Sequence, residues 1–248
     1  MSGDFKKYLN IYEFECVLPG SGHRVKFRPI TTAQMKRLLI YENETDTNRI
    51  EDALDELIST SIISEGFDIK KLYLQDRFFL LVELRKKTKG EIYKFSANCS
   101  SCNSQYLNSI DLGKLKVKKM KKNVNDIVKL NDNISVKMSF IIREMQETSS
   151  KYVDDTFSDL TETQRLSEIT IATHASSILS IITPEGEEKD VSLDDKVSLL
   201  NNISQGEYEL IRDWFTKNDF GTDFTFSKIC RHCKHKETMT IPIDNFFF

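Results

Sequence analysis

The pattern of apolar and polar positions at the start of the chain predicts a β-hairpin followed by a short helix. Between Tyr12 and Leu18 every second residue is apolar, with Val17 as an exception, which is the spacing of a half-buried strand. A second alternating stretch runs from Arg24 to Arg28, and the turn-forming run Pro19-Gly20-Ser21-Gly22 separates the two. Thr31 or Thr32 is then placed to cap a short helix.

Two longer helices are predicted next. Apolar residues recur at helical spacing from Ile50 to Ser61, so this segment is expected to be amphipathic. The helix from about Leu72 to Lys87 is apolar over most of its surface. That pattern is typical of a buried central helix, and the alternative is a helix that also faces a partner protein.

The chain between residues 113 and 223 is predicted to be mostly helical. Two short strands are expected first, from Ile127 to Leu130 and from Ile134 to Phe140. A capping-box match at Thr161-Glu162-Thr163-Gln164 then opens one long helix, whose apolar face continues to Ile182. Two more helices are expected at Asp194 to Ile203 and at Gly206 to Lys217.

Two cysteine pairs, each flanked by strand-like sequence, carry the most specific chemistry. They are Cys99-Ser100-Ser101-Cys102 and Cys230-Arg231-His232-Cys233. Thiolates are ligands that zinc prefers, and four of them complete its tetrahedral shell without leaving a position for water. The sequence therefore predicts a structural rather than catalytic zinc site, with the ligands Cys99, Cys102, Cys230 and Cys233.

The distance between the two pairs leaves an alternative open. A compact zinc ribbon separates its pairs by roughly 15–20 residues, whereas the whole stretch from Asn103 to Ile229 lies between these two. Two independent thiol pairs, redox-active or simply reduced, are the alternative. His232 and His235 are candidate replacement ligands if the split site is wrong.

Taken together, these elements predict an α+β protein with a zinc-ribbon-like β core that a mostly helical insertion splits. The two halves of the ribbon are residues 91–112 and 224–248, and the insertion is 113–223. Residues 1–90 form an N-terminal region with a β-hairpin and helices. The chain has 248 residues, which suits one large domain or two small ones.

Composition limits the cellular setting. The first residues contain no hydrophobic signal region, and no apolar run is long enough to span a membrane. We therefore expect a protein of a reducing cytosol with no membrane partner. Paired cysteines there bind metal more often than they form disulfides. The fifth cysteine, Cys16, lies in a strand pattern and is expected to be a buried core thiol.

Basic residues leave a second function open. Lys228, Arg231, Lys234 and Lys236 surround the second cysteine pair, and a lysine run extends from Lys114 to Lys122. A zinc-ribbon protein that binds nucleic acid, of the transcription-factor type, is therefore the alternative function. Against it stand the net charge of −3 and the absence of aromatic residues among these lysines. The lysine run is also typical of a solvated strand edge.

Motifs of catalysis are missing from the sequence. There is no Gly-rich phosphate loop, no G-x-S-x-G elbow and no H-E-x-x-H pair. His174 falls on or near the face of the predicted long helix, where a core hydrogen bond is the expected role. We therefore expect neither enzyme activity nor a small-molecule substrate.

The sequence ends with three phenylalanines. Burial of one large apolar side chain is worth about 1.5–3 kcal/mol, so exposure of all three is costly. They pack either onto the core of this chain or into another subunit. Phe246, Phe247 and Phe248 are therefore candidate partner-binding residues.

Several of these stretches resemble a family of tailed-phage proteins, the baseplate hub and hub-assembly proteins of T4-type myoviruses. The resemblance covers most of the chain. It is carried by Pro29-Ile30-Thr31-Thr32 after the hairpin, Asp76-Arg77-Phe78-Phe79-Leu80-Leu81, Glu83-Leu84-Arg85, Gly90, Tyr93-Lys94-Phe95, both cysteine pairs and the run from Ile241 to Phe248.

The resemblance implies a non-enzymatic role in building the central hub of a contractile-tail baseplate. It implies other phage baseplate hub or tail proteins as partners. The host cytoplasm during assembly and the virion tail baseplate are the implied locations. Some members are hub components and others are assembly factors, and the sequence favours neither. Only the four cysteines carry over as site residues, in the role of structural zinc ligands.

Overall fold

The computed structural model describes residues 12–42, 44, 46–242, 246 and 247. These residues form seven α-helices and small antiparallel sheets, which confirms the predicted α+β class. No helix in the described ranges combines the length and apolar character that crossing a bilayer requires. The helices are α1 (Thr32–Leu38), α2 (Thr47–Ser61), α3 (Leu74–Lys89), α4 (Arg143–Thr156), α5 (Glu162–Ser176), α6 (Leu193–Asn202) and α7 (Gln205–Lys217).

The strands are mostly short and pair only in antiparallel fashion. They are β1 (Phe14–Val17), β2 (Arg24–Phe27), β3 (Ile92–Asn98), β4 (Gln105–Asp111), β5 (Val117–Lys118), β6 (Ile127–Lys129), β7 (Ser135–Met138), β8 (Ile178–Thr183), β9 (Gly186–Glu188), β10 (Gly221–Thr222), β11 (Thr225–Ile229) and β12 (Lys236–Thr240).

The described residues divide into two compact units. One draws on residues 12–67, 78–118 and 221–247, and the other on 68–77 and 119–220. Each unit has buried apolar residues of its own.

The N-terminal hairpin opens the first unit as predicted. β1 pairs with β2, with Phe14 opposite Phe27, and Phe27 is fully buried. Thr31 is the residue that caps α1, through a capping box with Gln34. The expectation of a buried Cys16 is wrong, because this residue is only half-buried in the two-stranded sheet.

The predicted apolar helix is confirmed as α3. Leu80 and Leu84 have no exposed surface, and Leu81 and Val82 are also buried. These four residues cover adjoining faces of one helix, so the segment lies in the core. This agrees with the interpretation of a buried central helix.

Two hairpins of the first unit hold the cysteine pairs. β3 pairs with β4 from Ile92 opposite Asp111 to Asn98 opposite Gln105. β11 pairs with β12 from Thr225 opposite Thr240 to Ile229 opposite Lys236. The ring of Phe95 in β3 meets that of Phe226 in β11 edge to face, with 5.6 Å between centroids. Each cysteine pair thus sits at the tip of a hairpin, and an aromatic contact joins the two hairpins.

The second unit packs helices on an antiparallel sheet of order β6-β7-β8-β9. Val136, Ile178 and Ile211 are fully buried at its centre. The indole nitrogen of Trp214 donates to the backbone carbonyl of Asn125 over 2.7 Å, which satisfies its polar atom inside the core.

The predicted long helix to Ile182 is wrong in its last part. Helix α5 ends at Ser176, and residues 178–183 form the strand β8 between β7 and β9. The segment Ile178-Leu179-Ser180-Ile181-Ile182-Thr183 is rich in β-branched residues, and Ile178 and Ser180 are buried while Leu179 is exposed. Because apolar residues occur on both faces of this strand, their spacing also fits a helical period.

Candidate metal centre

The first cysteine pair lies in a tight turn between β3 and β4. The Cys99 amide donates to the carbonyl of Ser104 over 3.1 Å, and the Asn103 amide donates to the carbonyl of Cys99 over 2.9 Å. Asn103 adopts the left-handed conformation, with φ of 57°. Asparagine tolerates this region better than most residues, so the local sequence suits the turn.

The second pair repeats this geometry between β11 and β12. The Cys230 amide donates to the carbonyl of His235 over 2.8 Å, and the Lys234 amide donates to the carbonyl of Cys230 over 3.1 Å. Lys234 has φ of 63° and stands four residues after the first cysteine of its pair, as Asn103 does. The two turns are therefore equivalent, although nothing but the cysteines is shared between their sequences.

These turns bring all four predicted ligands together. The four Sγ atoms lie within 4.8 Å of one another. Across the pairs, Cys99 Sγ is 3.7 Å from Cys233 Sγ, and Cys102 Sγ is 3.7 Å from Cys230 Sγ. The first cysteine of each pair is buried and the second is exposed. The alternative of two unrelated thiol pairs therefore does not describe the arrangement.

The sulfur separation of 3.7 Å across the pairs suits a tetrahedral zinc ion. With Zn–S bonds of about 2.3 Å, a tetrahedron places neighbouring sulfurs roughly 3.8 Å apart. A disulfide would require about 2.05 Å. The donor set is entirely sulfur, which suits zinc, and four protein ligands would leave no position open for a substrate.

Hydrogen bonds to the sulfurs of Cys99, Cys102 and Cys230 favour the thiolate form. The Ser104 hydroxyl and amide lower the pKa of Cys102 to about 6. The amide of Cys233 lowers the pKa of Cys230. The amide of Cys102 acts in the same direction on Cys99, but burial and the neighbouring thiols outweigh it and raise the pKa of Cys99 to about 11. A metal ion would displace the proton of Cys99, because the thiolate is the form that binds.

A carboxylate in β12 ties the two hairpins together beside the sulfurs. Glu237 Oε2 accepts from the Ser100 hydroxyl over 2.6 Å and from the Ser100 amide over 3.2 Å. Its Oε1 accepts from the Tyr106 hydroxyl over 2.8 Å. These bonds lower the pKa of Glu237, and burial together with Glu237 raises the pKa of Tyr106 to about 12. Sequence reasoning missed this residue, since a lone glutamate in a strand carries no signal.

A lysine of β11 completes the contact between the hairpins. Lys228 Nζ lies 3.7 Å from the centroid of the Tyr106 ring, which is a cation–π geometry. It also donates to the side-chain carbonyl of Asn108. Burial lowers the pKa of Lys228.

The histidines named as replacement ligands lie in or beside the second cysteine turn but outside the sulfur cluster. His232 and His235 are both exposed, and neither belongs to the metal-binding cluster found among the described residues. His174 makes a hydrogen bond of 2.7 Å between its Nδ1 and the Tyr208 hydroxyl, and it stacks on Phe215. The predicted core hydrogen bond of His174 is therefore confirmed.

The described part of the C-terminal segment lies against its own chain. Phe246 and Phe247 are each 2% exposed. Arg85 Nε donates to the Phe246 carbonyl over 2.8 Å, and the Phe246 ring meets that of Tyr93 edge to face at 4.9 Å. Phe248 lies outside the described residues. A role of this segment in binding a partner stays a prediction.

Comparison with known proteins identifies a family but no individual similar protein. No curated protein and no solved structure matches this chain. The family described as T4 bacteriophage base plate protein matches residues 10–248, which include both cysteine pairs and the C-terminal phenylalanines. The chain therefore belongs to the T4 bacteriophage base plate protein family.

Proposed function

We propose that this baseplate protein is a structural or assembly protein of the central hub of a contractile tail. It acts by binding other baseplate hub or tail proteins and has no enzymatic role. The observation that carries the proposal is the family match over nearly the whole chain. The closed four-sulfur cluster supports it, because such a site stabilises a fold rather than reacting with a substrate.

The proposal assigns the metal a structural role. Cys99, Cys102, Cys230 and Cys233 hold one Zn²⁺ that fixes the two hairpins to each other. Support comes from the sulfur distances of 3.7 Å and from the bonds of Glu237 across the hairpins. In such a site the free energy of metal binding contributes directly to folding.

The proposal also divides the chain into regions. Residues 91–112 and 224–248 form a split zinc ribbon, residues 113–223 are an insertion in it, and residues 1–90 precede it. Phe246, Phe247 and Phe248 remain the partner-binding candidates. Because Phe246 and Phe247 are buried on this chain, partner binding through them requires release of Phe246 from Arg85 and Tyr93 and of Phe247 from Lys89.

The test is affinity capture of the tagged chain from phage-infected cells, with mass spectrometry of the captured proteins and of purified virions. We expect hub or tail proteins in the capture. Cys99→Ser should reduce their recovery, whereas Cys16→Ser, the same change at a half-buried cysteine outside the cluster, should not.

The virion measurement separates the two kinds of role. The chain in virions would make it a hub component, and the same partners without the chain in virions would make it an assembly factor. Capture of host polymerase or nucleic acid in place of tail proteins would contradict the proposal.

A further inference from the structure

A groove lies beside the sulfur cluster, between the hairpins of the first unit. It has a volume of about 310 Å³ and takes residues from β4, from β11 and from the two cysteine turns. Ser104 and Gln105 supply polar groups, Leu107 supplies an apolar one, and Lys228 and Arg231 supply positive charge. A mixture of this kind is typical of a binding surface rather than of a packing defect.

The hairpin that flanks the groove carries a net positive charge, whereas the whole chain is slightly acidic. The segment from Thr225 to Thr240 holds four lysines and arginines and a single carboxylate, Glu237, while the whole chain has a net charge of −3. Even two net negative charges from a tetrathiolate zinc centre would leave this hairpin positive. Within the described part of the chain, Arg231 makes no ion pair, so its charge is available to a partner.

An exposed apolar side chain lies next to these charges. Leu107, which lines the groove, is 67% exposed. Protein interfaces combine apolar side chains with arginine in a similar way.

We propose that this groove binds an acidic segment of another baseplate protein, with carboxylates at Arg231 and Lys228 and an apolar side chain against Leu107. The inference rests on the proposed function and names the surface through which the chain would bind a partner. Complementary charge would supply specificity and speed of association, and the apolar contact would slow dissociation.

The groove suits a polypeptide better than a nucleic acid. Single-stranded nucleic acids bind to open aromatic faces on which bases stack. Two rings line the groove, those of Tyr106 and His232, and Lys228 covers the face of Tyr106. Two lysines of the run already have partners within the chain, since Lys114 pairs with Asp111 at 3.2 Å and Lys121 donates to the carbonyl of Lys217.

The test uses the full chain loaded with zinc and a short fluorescein-labelled peptide of glutamate, aspartate and leucine. Fluorescence anisotropy should show binding that weakens as sodium chloride is added, because salt screens the charges. Arg231→Glu should weaken binding about tenfold, since it reverses a charge that the peptide contacts. Lys94→Glu, the same change in charge on an exposed residue of β3, should leave binding within about twofold.

A second variant is needed because Arg231 lies between the ligands Cys230 and Cys233, where a substitution can also disturb the cluster. Leu107→Glu places a negative charge in the groove on an exposed strand position, and Ile92→Glu, 52% exposed on β3, is its control. Leu107→Glu should also weaken binding about tenfold. Zinc content and circular dichroism of every variant are measured on the same samples.

Three results would overturn the inference. They are equal binding of a peptide with glutamine and asparagine in place of the acids, tighter binding of an oligothymidylate of the same charge, and unchanged binding by both groove variants. The proposed function would survive each of them if capture from infected cells still recovered hub or tail proteins. Failure of that capture with peptide binding intact would instead contradict the proposed function.

Discussion

The carboxylate of Glu237 binds both the hydroxyl and the amide of Ser100, a residue 137 positions earlier in the chain. Ser100 lies between Cys99 and Cys102, so the bond joins this cysteine turn to the hairpin that carries the other pair. Groups that orient the ligands of a metal contribute to its affinity without touching it.

Replacing Glu237 by alanine should therefore lower zinc affinity. The change removes three hydrogen bonds, two from Ser100 and one from Tyr106, and we expect a loss of about tenfold. Competition with a chromophoric chelator measures the affinity. Glu188→Ala, at an exposed position in β9, is the matched control and should have no effect. Equal zinc affinity in the two variants would remove the role given to Glu237.

Cysteine variants test whether one ion uses both turns. Cys99→Ser and Cys233→Ser should reduce bound zinc and the melting temperature to a similar extent, because both sulfurs belong to one cluster. Metal analysis and thermal unfolding measure these quantities. Cys16→Ser should keep its zinc. Loss of zinc in only one of the two cluster variants would argue for separate sites.

Removal of the metal should loosen the hairpins selectively. After chelation we expect faster amide exchange in β3, β4, β11 and β12, because the ion holds the turns that these strands flank. Strand β7, whose Val136 is fully buried in the second unit, should keep its protection. Hydrogen exchange with mass spectrometry distinguishes the two regions. Uniform loss of protection, including that of β7, would show that the metal stabilises the whole chain.

The C-terminal segment offers a test of burial. Phe246→Ala should destabilise the protein by about 3 kcal/mol, because it empties a site against Tyr93 that is 2% exposed. Leu107→Ala, at a position 67% exposed, should change stability by less than about 0.5 kcal/mol. Urea unfolding measures both. Similar stabilities would mean that Phe246 is held weakly and is free to bind a partner.

His174 should make stability depend on pH. Burial, and to a lesser extent Arg212, lowers its pKa to about 4, below the usual 6.5. The unfolded state therefore binds the proton more readily, so this contribution is complete above pH 6.5 and is lost as pH falls toward 4. The full effect is about 3 kcal/mol.

Urea unfolding at pH 7 and at pH 4.5 checks this prediction. The wild-type chain should lose more stability over that interval than His174→Gln, which keeps a polar group but does not titrate. His23→Gln, at an exposed histidine, should behave like the wild type. An identical pH dependence in all three proteins would exclude His174 as the cause.

Local signals in the sequence predicted much of this structure. The capping box at Thr161 marked the start of α5, and the two C-x-x-C spacings marked the turns that bring four sulfurs together. Such signals depend on residues close in the chain, so a single stretch suffices to find them.

Features that depend on distant residues were not accessible in this way. The strand character of residues 178–183 is decided by pairing with β7 and β9, which overrides a helical pattern of apolar residues. Glu237 and Lys228 acquire their roles only when β12 and β11 lie beside β4. Neither the identity nor the spacing of these residues distinguishes them from ordinary surface charges.

The separation of the two cysteine pairs has a consequence for synthesis. The 127 residues between Cys102 and Cys230 take roughly 6 to 25 seconds to translate, at about 5–20 residues per second. Throughout that time the nascent chain carries two thiols of the cluster without their counterparts. The four sulfurs can meet only after translation has passed Cys233. Closure of the cluster is therefore a late step in the folding of each newly made chain.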